Sequence, residues 1–365
     1  MAKKNTNLTI FLTIIALLIL IGMVFIYSSS SVFALEKFGS PHYFVKKQLM
    51  GLALGLCGLF FFMLIPLALI QRCAPLFFFS SLLLTALTLV PGFSTTIHGS
   101  HRWLNLGGFT FQPSELLKIS LILYFAYFLA KKQYHLSSFT RTYLPFLCIL
   151  GLTSCILLAQ PDFGQTITLC TTALLLFFIA QCQTKHLLIT LIPLIPITGL
   201  LIYLKPYRLK RILTFLNPWD DPQGAGFQII QSLIAIGSGS IGGVGIAQSK
   251  QKFFYLPMQH TDFIFSIIAE ETGFIGSSIL IFLYMLLLYI GIRIAWSLNN
   301  VFCIFTVLGF VILTSLQTII NLFVVTGLMP TKGIGLPFVS YGNSALICGL
   351  CMVGIVINCV QEDSL

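Results

Sequence analysis

The sequence predicts an all-α fold: a polytopic membrane protein of about ten transmembrane helices with a large ordered outer loop. Hydrophobic residues make up 57% of the 365 residues and charged ones only 8%, where a soluble domain carries roughly 25% charged residues. Mean hydropathy is +0.97. The apolar residues also gather into runs long enough to cross a bilayer, which takes about 20 residues of helix. No polar stretch is long enough to build a separate soluble domain, so the chain is read as one integral membrane domain, 1–365.

Ten apolar spans follow in order, at about 8–29, 48–70, 74–91, 113–130, 143–160, 163–181, 186–204, 263–292, 301–327 and 342–360. The first run, Leu8 to Tyr27, is longer than the core of a signal peptide and no small-residue cleavage site follows it, so it is expected to stay as the first helix. Gln160-Pro161-Asp162-Phe163-Gly164 interrupts a long apolar stretch with the turn chemistry of proline and glycine. The segment 205–262 is the large extracytoplasmic loop. Its run Gly226 to Ile236 is too short to span and suits an interfacial or re-entrant helix, and Gly237 to Gly245 is dense in glycine.

With the N-terminus inside, eight Lys and Arg fall on inner segments and eleven on outer ones, six of these in 205–262. Long loops are discounted in the positive-inside rule. Both termini are therefore placed in the cytoplasm, and the basic outer loop is read as one that meets an anion. The ten cysteines do not form a disulfide framework. Five lie inside apolar runs, Cys73 and Cys182 fall at connections placed inside the cell, and the outer segments contain none. Cys348-x-x-Cys351 in the last span reads as packing.

Polar residues at the mouth of a membrane helix are expensive to hold and mark candidate sites. Foremost is Gln259-His260-Thr261-Asp262, just before the eighth span. Asp262 can cap that helix, where the helix dipole keeps a carboxylate ionised, and it can act as a general base toward a hydroxyl. Glu270 and Glu271, two turns on, read either as an acid and base pair or as a pair at the outer interface that is hydrated or bound by Lys and Arg. Glu115 and Lys118 share a helix face, and Asp162 can approach it to complete a three-charge cluster. In the loop after the third span, Trp103 reads as an interfacial anchor or a sugar-stacking ring, and Arg102 as a partner for phosphate. Lys205, Arg208, Lys210 and Arg211 suit anionic lipid headgroups or a lipid diphosphate. His98 and His101 are too isolated for a metal site, and no other histidine pair has helical ligand spacing, so no protein metal site is expected. There is no Walker A loop and no G-x-S-x-G motif. Basic residues interleaved with membrane spans argue against nucleic acid.

Seven short motifs, taken in order, resemble the SEDS family of bacterial cell-wall synthesis. They are His101-Arg102-Trp103-Leu104, Gln112-Pro113-Ser114-Glu115, Gln160-Pro161-Asp162-Phe163-Gly164, Leu216-Asn217-Pro218-Trp219, Gly224-Ala225-Gly226-Phe227-Gln228, His260-Thr261-Asp262-Phe263-Ile264-Phe265 and Leu336-Pro337-Phe338-Val339-Ser340-Tyr341-Gly342. The segments Gln248 to Pro257 and Pro330-Thr331-Lys332-Gly333 look like its division-type, FtsW-like branch. The resemblance implies a peptidoglycan glycosyltransferase of the bacterial inner membrane that polymerises lipid II beside a class B penicillin-binding protein and other divisome membrane proteins. It implies that Asp262 is catalytic, that Trp103 sits in a loop important for activity, and that Glu115, Lys118 and Asp162 form a buried polar cluster. Arg102, Trp103, Lys205, Arg208, Arg211, Lys250, His260 and Ser340 make up the expected substrate-binding set. Two departures stand out: Pro257-Met258-Gln259 lacks a glutamate usual in the family, and Tyr341-Gly342-Asn343-Ser344 replaces Tyr-Gly-Gly-Ser.

The expected chemistry is an inverting displacement in which an acceptor sugar hydroxyl attacks the anomeric carbon of a lipid-linked diphosphate donor. Cations of the outer loop, or a divalent Mg or Mn ion, would neutralise the leaving group. The rival readings are a lipid II flippase and a non-enzymatic divisome scaffold.

Overall fold

In the computed structural model the described residues are all except Met1, Pro91, Phe93, His98, Gly99, Gly107, Gly108, Gln133, Tyr134, Ser137, Phe254, Tyr255, Ser364 and Leu365. Of the positions named above, His98 lies outside the described residues, as do Phe254 and Tyr255 within the segment Gln248 to Pro257. The chain runs through α1 (Ala2–Phe38), α2 (Tyr43–Leu64) and α3 (Leu67–Leu87), then β1 (Ser94–Ile97), β2 (Ser100–Leu106) and β3 (Phe109–Phe111). It continues with α4 (Pro113–Lys132), α5 (Leu144–Ala159), α6 (Phe163–Ile179), α7 (Thr184–Tyr203), α8 (Pro206–Leu216), α9 (Phe227–Ser238), α10 (Ile264–Trp296), α11 (Val301–Val325) and α12 (Asn343–Glu362).

Among the described residues, nine helices are long and apolar enough to cross a membrane. The protein is thus a multi-pass membrane protein. Each of the ten expected spans has its helix: α5, 16 residues, reaches 21 by continuing the π-helical turn Phe139–Tyr143, and α6, with 17 residues, falls short of the nine. One boundary moves. The second and third spans were expected to meet near Cys73, but the chain turns earlier, at Ile65-Pro66, where the residue before proline is extended (ψ 135°). Arg72 and Cys73 consequently lie inside α3 rather than in a connection. The fold is all-α as expected, with one addition outside the helices. The loop after α3 contains an antiparallel three-stranded meander, β1-β2-β3, with Thr95 opposite Trp103 and Asn105 opposite Thr110. The β-branched run Thr95-Thr96-Ile97 favours it.

Helices α4, α11 and α12 lie inside the bundle and α7 at its edge. Small residues let α12 approach α2 closely. A Cβ on Gly354 would lie 2.3 Å from the Leu59 carbonyl oxygen, the type of contact that replaces the hydrophobic drive between helices in lipid. The Asn358 amide then donates to the carbonyls of Phe62 and Ile65, which the end of α2 leaves unpaired. Alternation of the spans gathers the connections 39–42, 88–112, 160–162, 204–263 and 326–342 at one end of the bundle, and both chain termini at the other.

Candidate active site

Asp262 lies at that gathered end, immediately before α10. Helix α10 begins at Ile264 with Phe263 as its N-cap and no side-chain cap, so the expected capping role of Asp262 is not realised. The backbone around it is fixed instead. Three consecutive carbonyls accept hydrogen bonds: His260 O from Tyr341 N–H (2.9 Å), Thr261 O from Ser340 Oγ (2.6 Å) and Asp262 O from Asn321 Nδ2 (2.7 Å). Asn321 donates also to Ile334 O (2.7 Å), and Ser340 Oγ accepts from Leu336 N–H (2.8 Å). Helix α11 and the segment 334–341 thus clamp residues 260–262 through their main chain, and among the described residues the Asp262 side chain takes no hydrogen bond.

That side chain is half-buried. A Cβ on Gly333 would lie 3.3 Å from its Oδ2, so the missing side chain leaves room in front of the carboxylate. Burial pushes the Asp262 pKa up to about 7; Arg211 and then Arg102 pull it down, and Asp162 pushes it further up. This reverses the expectation that the helix dipole would hold it low. The carboxylate is outside the helix, and loss of water outweighs the dipole.

Arg102 on β2 reaches the turn between α5 and α6. Its Nε donates to Gln160 O (3.0 Å), its Nη2 to Pro161 O (2.6 Å), and its Nη1 is 3.6 Å from Asp162 Oδ2. Asp162 caps α6 by accepting from Gln165 N–H (3.2 Å). Burial pushes its pKa up while Arg102 opposes the rise. Gln165 Nε2 donates to Glu115 Oε1 (3.0 Å), and Glu115 Oε2 is 2.7 Å from Lys118 Nζ. The expected three-charge cluster is therefore a relay: Glu115 and Lys118 pair directly, while Asp162 joins them through Gln165 and is itself paired with Arg102. The bridging by Gln165 and the Arg102–Asp162 pair were not anticipated. The only signal available was the adjacency of Gln165 to the turn. Trp103 is half-buried on β2.

The remaining expected substrate-binding residues divide. Lys205, Arg211 and Lys250 are exposed. Arg208 is buried and turned inward, donating to Leu201 O (2.9 Å) and Tyr207 OH (2.9 Å) with its guanidinium 5.0 Å from the Phe163 ring. His260 is packed against Phe44 (4.4 Å), Tyr341 (5.7 Å) and Phe33 (5.9 Å), and burial lowers its pKa to about 4. A neutral, walled-in imidazole does not attract phosphate. Ser340 uses its hydroxyl twice within the protein, as given above. Of these three, expected to touch substrate, Ser340 and His260 are engaged with the protein around residues 260–262 and Arg208 braces the junction of α7 and α8. Lys332, counted only as a loop cation in the sequence, stands 5.7 Å above the Phe163 ring, and burial lowers its pKa.

A cleft of about 500 Å³ opens between α8 and the start of α9, bounded by Tyr207, Arg211, Phe227, Gln228, Pro257 and Thr331. Arg211 belongs to this cleft, donates to Thr331 O (3.2 Å), and is also the strongest cation acting on Asp262. Glu270 and Glu271 are not a hydrated interfacial pair but are fully buried, and Glu271 follows the other expectation, a pairing with a lysine, its Oε1 lying 3.4 Å from Lys252 Nζ. Among the described residues, no group of three or more His, Cys, Asp and Glu is placed to hold a metal ion.

Residues 8–365 match the cell cycle protein family of FtsW, RodA and SpoVE. The chain is 42% identical over 337 residues to the "Probable peptidoglycan glycosyltransferase FtsW" of Geobacter sp. (strain M18), covering 92% of each chain. It is 41% identical over 360 residues to stage V sporulation protein E of Bacillus subtilis (strain 168), covering 98% of each. Among solved structures, it resembles a chain of a peptidoglycan synthase complex studied for the coordination of polymerization and crosslinking, with TM-score 0.79, 31% identity and 97% coverage of both chains. It also resembles the rod shape determining protein RodA of Thermus thermophilus, with TM-score 0.72, 26% identity and the same coverage. Matched by the family over residues 8–365 and 42% identical to a relative covered over 92% of its length, the chain belongs to the SEDS family of cell cycle proteins.

Proposed function

We infer that this protein is a peptidoglycan glycosyltransferase of cell division, which polymerises lipid II at the outer face of the bacterial cytoplasmic membrane. Both termini then lie in the cytoplasm. A class B penicillin-binding protein and other divisome membrane proteins are its partners. The reading is supported by the family, by the activity in the names of its relatives, and by the likeness to a chain of a synthase complex.

One observation carries the mechanism: a half-buried carboxylate, without hydrogen bonds from the described residues, on a main chain pinned at three successive carbonyls beside Arg211 and Arg102. Asp262 accepts the proton of an acceptor sugar hydroxyl as that oxygen bonds to the anomeric carbon of the donor. The bond from this carbon to the lipid diphosphate breaks on the opposite face, with inversion. A pKa near 7 makes Asp262 a stronger base than an ordinary carboxylate while leaving about half of it ionised at neutral pH. Departing diphosphate needs positive charge more than a proton donor, and Arg211, Lys205 and Lys250 offer it. Among the described residues no group of three His, Cys, Asp or Glu could hold a metal ion by the protein alone; an Mg or Mn ion bound by one carboxylate together with the substrate diphosphate would supply the same neutralisation as the basic side chains.

The test is polymerisation of lipid II by purified protein with its partner synthase, comparing wild type with Asp262→Ala and Asp262→Asn. A loss of at least about 10²-fold is expected, the scale of a general base. Glycan formation near the wild-type rate refutes the assignment.

A further inference from the structure

Helix α10 is broken. Gly273 sits at φ +65° inside it, which disrupts the two intrahelical bonds that would run from Phe274 N–H to Glu270 O and from Ile275 N–H to Glu271 O. The segment after α9 occupies the gap. Val244 N–H donates to Glu270 O (3.0 Å) and Gly245 N–H to Glu271 O (3.1 Å), while Phe274 N–H donates to Ser240 O (2.9 Å) and Ile275 N–H to Ile241 O (3.2 Å). Two lost bonds are replaced by four, and all connect the helix to the loop that ends in Asp262.

The side chains of the same two glutamates seize the next stretch of that loop. Glu270 accepts from Ser249 Oγ (2.5 Å) and from Lys250 N–H (2.8 Å). Glu271 accepts from Ala247 N–H (2.9 Å) and Ser249 N–H (3.4 Å), and its Oε1 lies 3.4 Å from Lys252 Nζ. Lys252 Nζ also donates to Ala247 O. From the other side, Ser28 Oγ on α1 donates to both Glu271 oxygens (2.6 and 2.8 Å). Its neighbour Ser29 offers its carbonyl to Gln259 Nε2 (2.7 Å), three residues before Asp262. Adjacent serines on one helix thus tie the carboxylate network to the catalytic segment. Buried carboxylates are retained at this cost only where their partners are fully supplied, and the mechanism uses neither of them chemically.

We propose that Glu270 and Glu271 are positioning residues for Asp262, a latch that clasps segment 244–252 into the break of α10 and thereby fixes the segment leading to the catalytic carboxylate. This rests on Asp262 being the base. The latch holds one end of the catalytic segment and the clamp on carbonyls 260–262 holds the other, so the carboxylate keeps both its place and its partial exclusion from water. The charged groups that act on Asp262 are Arg211 from α8, Arg102 from β2 and Asp162 from the turn before α6. Changes at 270 and 271 leave all three in place.

The experiment uses the full chain with its partner and compares wild type, Glu271→Gln, Glu270→Gln and the conservative Glu271→Asp, with Lys252→Met as the substitute should a glutamate variant fail to fold. Backbone hydrogen exchange and the pH profile of polymerisation are both read. The latch predicts about tenfold faster exchange confined to 244–262, turnover down by about 10- to 100-fold with little change in KM, and an acid limb that slides from about 7 toward the ordinary carboxylate value as water reaches Asp262. Glu271→Asp recovers part of each. Wild-type exchange in 244–262 together with an unmoved acid limb overturns the proposal. An active Asp262→Asn protein would overturn the base reading instead, and the exchange measurement would still decide the latch.

Discussion

Replacing Asp262 by Asn should abolish polymerisation and yet make the folded protein more resistant to alkaline pH. The carboxyl rises from 3.8 to about 7 on folding. The folded state therefore holds its proton between these values while the unfolded chain releases it. Stability is fully present below 3.8, falls as pH rises through that window, and has reached its reduced level above 7. At 1.36 kcal/mol per unit the ceiling of the loss is about 4 kcal/mol. Residual hydration of a half-buried group screens this to about 1–3 kcal/mol. Asn carries no proton to lose, so the variant should escape the penalty. Thermal unfolding in detergent at pH 5 and pH 8 measures it: the wild type loses stability between these points and the Asn variant loses less, by about that amount. The same carboxyl predicts wild-type turnover that falls about tenfold per unit below pH 7 and is flat above it. If wild type and variant share one pH slope of stability, or if turnover holds down to pH 5, the argument that burial governs Asp262 is refuted.

Two further outcomes test the scaffold around the site. Lys118→Met leaves Glu115 buried with Gln165 as its remaining donor and should cost about 3–5 kcal/mol. The double variant Glu115→Gln/Lys118→Met should recover most of it, and a double-mutant cycle of melting temperatures without coupling would count against the pair. Gly273→Ala places a Cβ 2.3 Å from Gly243 N and 2.5 Å from Ile241 O at a positive φ. It should destabilise by about 3 kcal/mol or more, seen as loss of monodisperse protein on size exclusion, and a wild-type elution and melt would show that the break in α10 tolerates side chains.

How much of the site could be read in advance follows from the range of each interaction. Asp262 was legible because a carboxylate at the mouth of an apolar run is conspicuous against its neighbours. The Glu115–Lys118 pair was legible because three residues of helix bring two side chains to one face. The Arg102–Asp162 contact spans 60 residues of sequence, and nothing local in either segment announces it. His260 and Ser340 belong to recognisable motifs, but motif membership does not tell a residue that touches substrate from one that holds the backbone. Glu270 and Glu271 were misplaced at the surface because a carboxylate pair beside an apolar stretch looks hydrated until its donors are known. Those donors come from Ser28, Ala247, Ser249, Lys250 and Lys252.

The membrane class, the succession of spans and the identity of the candidate base were decided by the sequence itself. Apolar length and the cost of an unpaired charge in lipid act residue by residue along the chain. The break in α10, the inward turn of Arg208 and the direction of the Asp262 titration were decided only by tertiary structure. Each depends on which distant group supplies a hydrogen bond or displaces water, and such groups meet only once the helices are packed.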